Sequence, residues 1–175
     1  MRPKRRSGRL SAESLQGAKE HALSVIGAKY GHLPYHDPRH TKDVLRRITI
    51  LLHALHSTLG DRFDARLIDL GRLAAVFHDI ERDCDVKDKN LNDDLWKLFP
   101  DKRRNRDGLI RLNEEVSVLR ALAWMNDWNG NQPGAFTRDD ALIVRDAIMA
   151  TKADWPRSPR PLAWSPPALR SPMSA

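Results

Sequence analysis

The chain has 175 residues, of which 41% are hydrophobic, and this is enough for one globular domain with a modest core. The single cysteine, Cys84, excludes an internal disulfide, and no apolar run is long enough to span a bilayer or to form the middle of a signal peptide. We therefore expect a cytoplasmic protein that has no membrane partner.

The net charge of +7 comes mainly from the two ends of the chain. Residues 1–10 contain one lysine and four arginines with no acid, and the residues after Asp154 add three arginines, again with no carboxylate. Between these flanks the charges nearly balance. The pattern is typical of solvated basic tails, and weak contact with nucleic acid or an anionic surface is the less favoured alternative.

Apolar residues recur at every third or fourth position in five segments, which predicts five amphipathic helices. In chain order these segments are residues 11–30, 37–59, 64–80, 113–128 and 138–151. Residue types that cap helix starts stand at three of them, namely Ser11, the pair Asp37-Pro38, and Thr137. Because no β pattern of comparable strength is present, we expect an all-α fold that forms a single helical bundle.

Three parts of the chain lie outside this bundle. Residues 1–10 are basic and residues 155–175 hold six of the 11 prolines, so we expect disordered ends around a domain of residues 11–154. Residues 81–109 are dense in charge and poor in periodicity, as lids and disordered insertions are.

Three of the seven histidines have informative positions. His36 and His40 are four residues apart at the start of the second predicted helix, so their side chains lie close to the same face. His78 directly precedes Asp79 near the end of an apolar helix. The other four, His21, His32, His53 and His56, have no such context, and we interpret them as ordinary surface or core residues.

Placing the Asp79 carboxylate among apolar neighbours is energetically unfavourable unless it is paired or bound to a cation. The helix dipole also disfavours a negative charge near a helix C-terminus. A metal ion answers both objections, because carboxylate oxygen and imidazole nitrogen together suit divalent Mn, Fe, Co, Ni and Zn. The alternative is that Asp79 reaches water or a nearby arginine such as Arg82.

Three motifs in order resemble those of the HD-domain superfamily of metal-dependent phosphohydrolases. Residues 35–40, with Thr41 and Val44, resemble the Y-H-N-x-x-H-x-x-x-V start of that family, and residues 74–80 look like its histidine-aspartate doublet helix. Residues 113–117 are similar to the N-E-x-x-S motif of its small bacterial members. The resemblance covers residues 15–154, about four fifths of the chain, and implies a single HD domain.

The resemblance implies a role for each matching residue. It makes His40, His78 and Asp79 the metal ligands, with Asp79 able to bridge a second ion. The cofactor that it implies is one or two divalent ions of Mn, Fe, Co, Ni, Zn or Mg. His36 matches the proton donor of cyclic-nucleotide phosphodiesterases, which share the first motif. Glu114 is a candidate for orienting the attacking water, although a glutamate in a first helical turn is equally explained by the helix dipole.

Basic residues near these motifs are candidates for binding substrate phosphate. Arg82 and Lys152 are the two that we select, and a solvated charged loop is the alternative explanation for them.

Two departures from the family pattern bear on activity. Asp37 stands where the family has asparagine, which keeps the capping function but adds a charge beside the site. The family also completes its ligand set with an aspartate on a final helix. In this chain Asp154 matches the loop before that helix, and no acid follows it. We expect weaker metal binding as a result, and a proline-rich segment in place of the family's last helix.

The leading hypothesis is a hydrolase that cleaves a phosphoester of a small phosphorylated substrate, such as a nucleotide or cyclic nucleotide, with metal-activated water. The alternative is an HD-fold binding or regulatory protein that is catalytically impaired because it lacks the last aspartate. A basic nucleic-acid-binding protein is the least favoured hypothesis. A homo-oligomer is compatible with all three.

Overall fold

A computed structural model of the protein describes residues 8–33, 35–81 and 113–151. These ranges contain five α-helices, a single 3-10 turn and no strand, which confirms the predicted all-α class. The helices are α1 (Ala12–Tyr30), α2 (Pro38–Leu59), α3 (Ala65–Phe77), α4 (Asn113–Asn131) and α5 (Arg138–Met149), and the 3-10 turn (Gly60–Arg62) follows α2. None of the described helices is long and apolar enough to cross a membrane.

Side-chain caps fix where the helices begin. Ser11 accepts the backbone N–H of Ser14 at the start of α1, and Asp37 accepts that of His40 at the start of α2. At the start of α5, Thr137 and Asp140 form a reciprocal capping box, as the sequence predicts. Gly60 ends α2 with a φ of 55°, a backbone conformation that L side chains rarely adopt.

Helix α3 lies at the centre of the bundle and contacts each of the other four α-helices. Its inward side chains Leu70, Leu73 and Phe77, together with Ile80 just beyond its end, are almost fully buried. Burial of each such side chain is worth about 1.5–3 kcal/mol, so α3 and the turn after it contribute substantially to the stability of the core. Residues at the ends of α3 are therefore attached to the helix on which the other four pack.

Two contacts pack the outer helices closely around this centre. Gly17 in α1 lies against the ring of Trp128 in α4, and a Cβ at position 17 would meet that ring at 2.7 Å. The Trp128 ring stacks on Trp124, with their centroids 5.0 Å apart. The missing side chain at position 17 thus allows α1 to approach the aromatic face of α4.

The inner end of the predicted N-terminal tail packs on the domain. Leu10 is buried in the core, and its N–H donates to the Asp69 carboxylate at 3.1 Å. Gly8 accepts a hydrogen bond from the guanidinium of Arg66 through its carbonyl oxygen at 3.0 Å. The packed domain thus includes residues that precede the boundary expected at residue 11. The predicted tail of residues 155–175 lies outside the described residues, as does the charged segment of residues 81–109 apart from Glu81.

Candidate metal centre

Two helix ends bring the sequence-predicted histidines and aspartate together. His40 is in the first turn of α2, where its backbone N–H is held by the Asp37 carboxylate at 2.8 Å, and His36 lies just before that cap. His78 is the C-cap residue of α3, and Asp79 follows it. The sequence predicts a helix to residue 80, but α3 ends at Phe77, whose carbonyl accepts the N–H of Ile80 in a tighter turn. Asp79 therefore lies in a turn and not on a helix face.

A single oxygen of Asp79 is the centre of the cluster. Its Oδ2 lies 3.2 Å from Nδ1 of His36, 3.4 Å from Nε2 of His40 and 3.2 Å from Nε2 of His78. Ligand atoms of His40, His78 and Asp79 all lie within 4.8 Å of one another, and this is the one such group among the described residues. We call His36, His40, His78 and Asp79 together the His-Asp centre.

The spacing of these atoms fits a divalent metal ion. Two ligands that are each about 2.0–2.1 Å from a tetrahedral ion are about 3.3–3.4 Å apart, and the measured contacts of 3.2 and 3.4 Å to His78 and His40 are close to this. One carboxylate oxygen has two lone pairs and cannot accept good hydrogen bonds from three ring nitrogens at once. Two imidazoles and a carboxylate are also the donor types that borderline divalent ions select.

The hydrogen bond on the far side of the His78 ring sets its tautomer. Nδ1 lies 2.9 Å from the carbonyl oxygen of Ala75, and since a carbonyl only accepts, Nδ1 carries the proton. The neutral ring then directs the lone pair of Nε2 toward the centre. A backbone partner of this kind is usual for histidines that bind metals, because it fixes both the ring orientation and the tautomer.

The charges of the His-Asp centre are strongly coupled. Burial raises the pKa of Asp79, but the hydrogen bond and charge of His78 and the charge of His36 outweigh it and lower that pKa to about 2. Burial lowers the pKa of His78, and the hydrogen bond and charge of Asp79 outweigh it, so the net pKa shift is upward. Asp79 is therefore ionised at any physiological pH and ready to bind a cation.

The remaining predicted residues divide into two groups. Glu114, half-buried in the first turn of α4, is near enough for its charge to help raise the pKa of His78. Its neighbour Glu115 is fully buried. Arg82 and Lys152, selected for phosphate binding, lie outside the described residues, as does Asp154. Their roles stay predictions.

Glu81 is a supporting residue that the sequence reasoning missed. It is buried two residues after Asp79, and its carboxylate accepts from Lys29 at 2.6 Å and Arg120 at 3.0 Å. Burial raises the pKa of Glu81, but the hydrogen bond and charge of Lys29 outweigh it and lower the pKa. Its backbone N–H donates to the hydroxyl of Ser117 at 3.3 Å. Bonds to α1 and α4 thus fix the turn that positions Asp79.

Ser117 connects this supporting turn to the third sequence motif. It is the last residue of the third motif, and its hydroxyl is fully buried against the Glu81 backbone. Ser117 therefore contributes to the centre indirectly, because it anchors the turn and does not contact His40, His78 or Asp79.

Comparison with known proteins does not identify the chain. No family model matches it, and neither a curated protein nor a solved structure is detectably similar to it.

Proposed function

We propose that the protein is a metal-dependent phosphohydrolase of the HD type that acts on a small phosphorylated molecule. The observation that carries the proposal is the placement of three ring nitrogens within 3.4 Å of the Asp79 carboxylate oxygen. The residues involved are those of the first two motifs that resemble the HD superfamily. Geometry and motif thus select the same residues by separate arguments.

His40, His78 and Asp79 would hold the ion. When bound, a divalent ion of Mn, Fe, Co, Ni, Zn or Mg lowers the pKa of a coordinated water and neutralises charge on phosphoryl oxygens. Three protein ligands leave a position open for water or substrate, as catalytic zinc sites do. Asp79, with a second carboxylate oxygen, is the residue able to bridge to another ion.

His36 would supply the proton for the leaving oxygen. Its Nδ1 lies 3.2 Å from the ionised Asp79, so Nδ1 carries a proton there and orients the ring. To act as the acid, the ring would have to carry a second proton on its other nitrogen, Nε2, and deliver that proton to the leaving oxygen. Glu114 is the candidate for orienting the attacking water, since its charge already reaches the centre through His78. Arg82 and Lys152 are proposed to contact phosphate oxygens.

Metal uptake and hydrolysis together test the proposal. The protein is stripped with a chelator and reloaded with Mn²⁺ or Ni²⁺, its metal content is measured by elemental analysis, and hydrolysis of bis(p-nitrophenyl) phosphate is followed. We expect His40→Ala, His78→Ala and Asp79→Ala to lose both bound metal and activity. His36→Ala should keep its metal and react about 10²–10⁴-fold more slowly, the usual contribution of a positioned proton donor.

His53→Ala is the matched control, because His53 is an exposed histidine on the same helix as His40. It should behave as the wild type in both measurements. A wild-type protein that takes up neither ion, or an Asp79→Ala variant that retains activity, would contradict the proposal.

A second candidate function is an HD-type binding protein that holds a metal without turnover. It is favoured by the ligand count, since among the described residues the group that can hold an ion has three members and no second carboxylate. Full metal loading with no hydrolysis of phosphomonoesters or phosphodiesters would select this candidate over the enzyme.

A further inference from the structure

An apolar pocket of about 200 Å³ lies directly beside the His-Asp centre. It is open to solvent on one side and lined by residues of α2, α3 and α5, and His78 forms part of its wall. The same residue therefore belongs to both the centre and the pocket.

The α2 wall of the pocket continues the helix face that presents His40. Val44, Ile48 and Leu52 line it, and they follow His40 at successive intervals of four residues. Residues four apart lie on one face of a helix, about 6 Å apart along its axis. The pocket thus begins about one helical turn from the imidazole of His40 and extends away from the centre along α2.

The opposite walls explain why the space exists and what it accepts. Ala74 and Ala75 on α3 and Ala147 on α5 have small side chains that leave the volume open. His78 and Thr151 are the polar side chains in the lining. A nucleobase placed here would leave most of its amide and amine groups without partners, and each such buried group costs about 1–3 kcal/mol.

We propose that this pocket binds the apolar part of the substrate, a short alkyl chain or an aryl ring, while the His-Asp centre holds its phosphate. The inference rests on the proposed phosphohydrolase function and narrows its substrate class to alkyl or aryl phosphoesters in preference to nucleotides. The size is sufficient, since an apolar cavity of about 150 Å³ in another protein takes up benzene.

A second cavity shows that volume alone does not carry this assignment. It also measures about 200 Å³ and lies among α1, α2 and α3, but Lys19, Gln16 and Arg72 are in its lining. No residue of the His-Asp centre lines it. The pocket beside His78 differs in being apolar and in sharing a wall with the centre.

Paired phosphonates test the proposal by binding and not by turnover. Calorimetry on the Mn²⁺-loaded protein compares n-pentylphosphonate with methylphosphonate, which share a head group. We expect the pentyl compound to bind wild-type protein about tenfold or more tightly than the methyl compound, because four additional CH₂ groups leave water. In Ala147→Leu the larger side chain fills the pocket, and this ratio should fall to near one.

Ala150→Leu is the matched control, since Ala150 is exposed at the end of the same helix and does not line the pocket. It should keep the wild-type ratio. Ile48→Ala provides an independent variant that widens the pocket, and it should raise the preference for n-octylphosphonate over n-pentylphosphonate. Circular dichroism establishes that each variant is folded before it is compared.

The outcomes separate the pocket from the activity. Equal binding of the two phosphonates to wild-type protein, or a ratio that Ala147→Leu leaves unchanged, overturns the pocket assignment even if phosphoesters are hydrolysed. A strong pentyl preference that Ala147→Leu abolishes supports the pocket even if no phosphoester is hydrolysed, in which case the proposed function alone fails.

Discussion

Asp79 follows the C-terminal end of the central helix α3, and Asp140, on α5, contacts the N-terminal end of α3 through Arg66. The groups that surround these two carboxylates are of different kinds. Asp140 contacts Arg66 at the start of α3 in a bidentate pair, with N–O distances of 2.6 and 2.8 Å. The N–H and hydroxyl of Thr137 donate to the same carboxylate. Asp79 faces three imidazoles instead. The first aspartate is met by a guanidinium and a threonine, and the second by imidazole rings, which are common metal ligands.

Exposure follows the same division. The Asp140 side chain is 1% exposed and its hydrogen-bonding capacity is used within the protein, whereas the Asp79 side chain is 26% exposed. A closed carboxylate stabilises the fold, and an open carboxylate surrounded by imidazole rings is free to take a cation. Charge pairing alone would have classed the two carboxylates together, so exposure and the identity of the partners are what distinguish a candidate site from a structural contact.

The largest expected effect is on stability at Asp140. Asp140→Ala leaves the buried Arg66 guanidinium without its counter-charge, and removing one partner of a buried pair costs about 3–5 kcal/mol. Urea denaturation at pH 8 with a chelator measures the loss of unfolding free energy. Under those conditions Asp79→Asn should cost less than half as much. Asp146→Ala is the control, because its pair with Arg145 is exposed and worth less than about 1 kcal/mol. Equal losses at positions 79 and 140 would remove the distinction.

Lowering the pH should reduce the contribution of the Asp140 carboxylate to stability, by less than the Asp140→Ala substitution does. Burial raises the pKa of Asp140, but the hydrogen bonds from Arg66 and Thr137 outweigh it, and the pKa lies below its ordinary value of 3.8. Its stabilising contribution is thus fully present above pH 3.8 and is lost as the pH falls through the lowered folded-state pKa. Urea midpoints between pH 6 and pH 3 should fall more steeply for wild type than for Asp140→Asn. Parallel curves would show that Asp140 does not carry this acid sensitivity.

The smallest effect is expected at the cap beside Asp140. Thr137→Ala removes the hydroxyl that accepts the Asp140 N–H and donates to its carboxylate, and loss of such a cap costs about 1 kcal/mol. Thermal or urea unfolding measures this change, with Ser11→Ala at the α1 cap for comparison. The metal content should not change, and a loss of bound Mn²⁺ would mean that the two ends of α3 are coupled.

Local features of the fold were predictable, since helix period and capping depend on residues within one turn. The starts of α1, α2 and α5 agree with the caps at Ser11, Asp37 and Thr137. The cap at Asp64 was not singled out, although it accepts the Leu67 N–H in the same way. The sequence predicts the end of α3 three residues late, because its apolar pattern continues into the turn through Ile80.

Contacts between distant residues were the part that the sequence could not supply. Arg66 and Asp140 are 74 residues apart, and nothing in either segment indicates its partner. The same holds for Glu81 and Lys29, which are 52 apart. The His-Asp centre was accessible because motif order and the cost of an unpaired Asp79 identified its members, while the pocket beside it depends on how three helices pack.

The four residues that follow Phe77 face different parts of the molecule, and this links the His-Asp centre to the core. His78 and Asp79 face the centre, Ile80 is fully buried in the core, and Glu81 is tied to α1 and α4. We expect a substitution at Ile80 to displace Asp79 beside it as well as the packing around it. During evolution or redesign, changes to this part of the interior are constrained twice, once by folding and once by the geometry of the His-Asp centre. A buried residue that does not belong to the centre can therefore be as restricted as those that do.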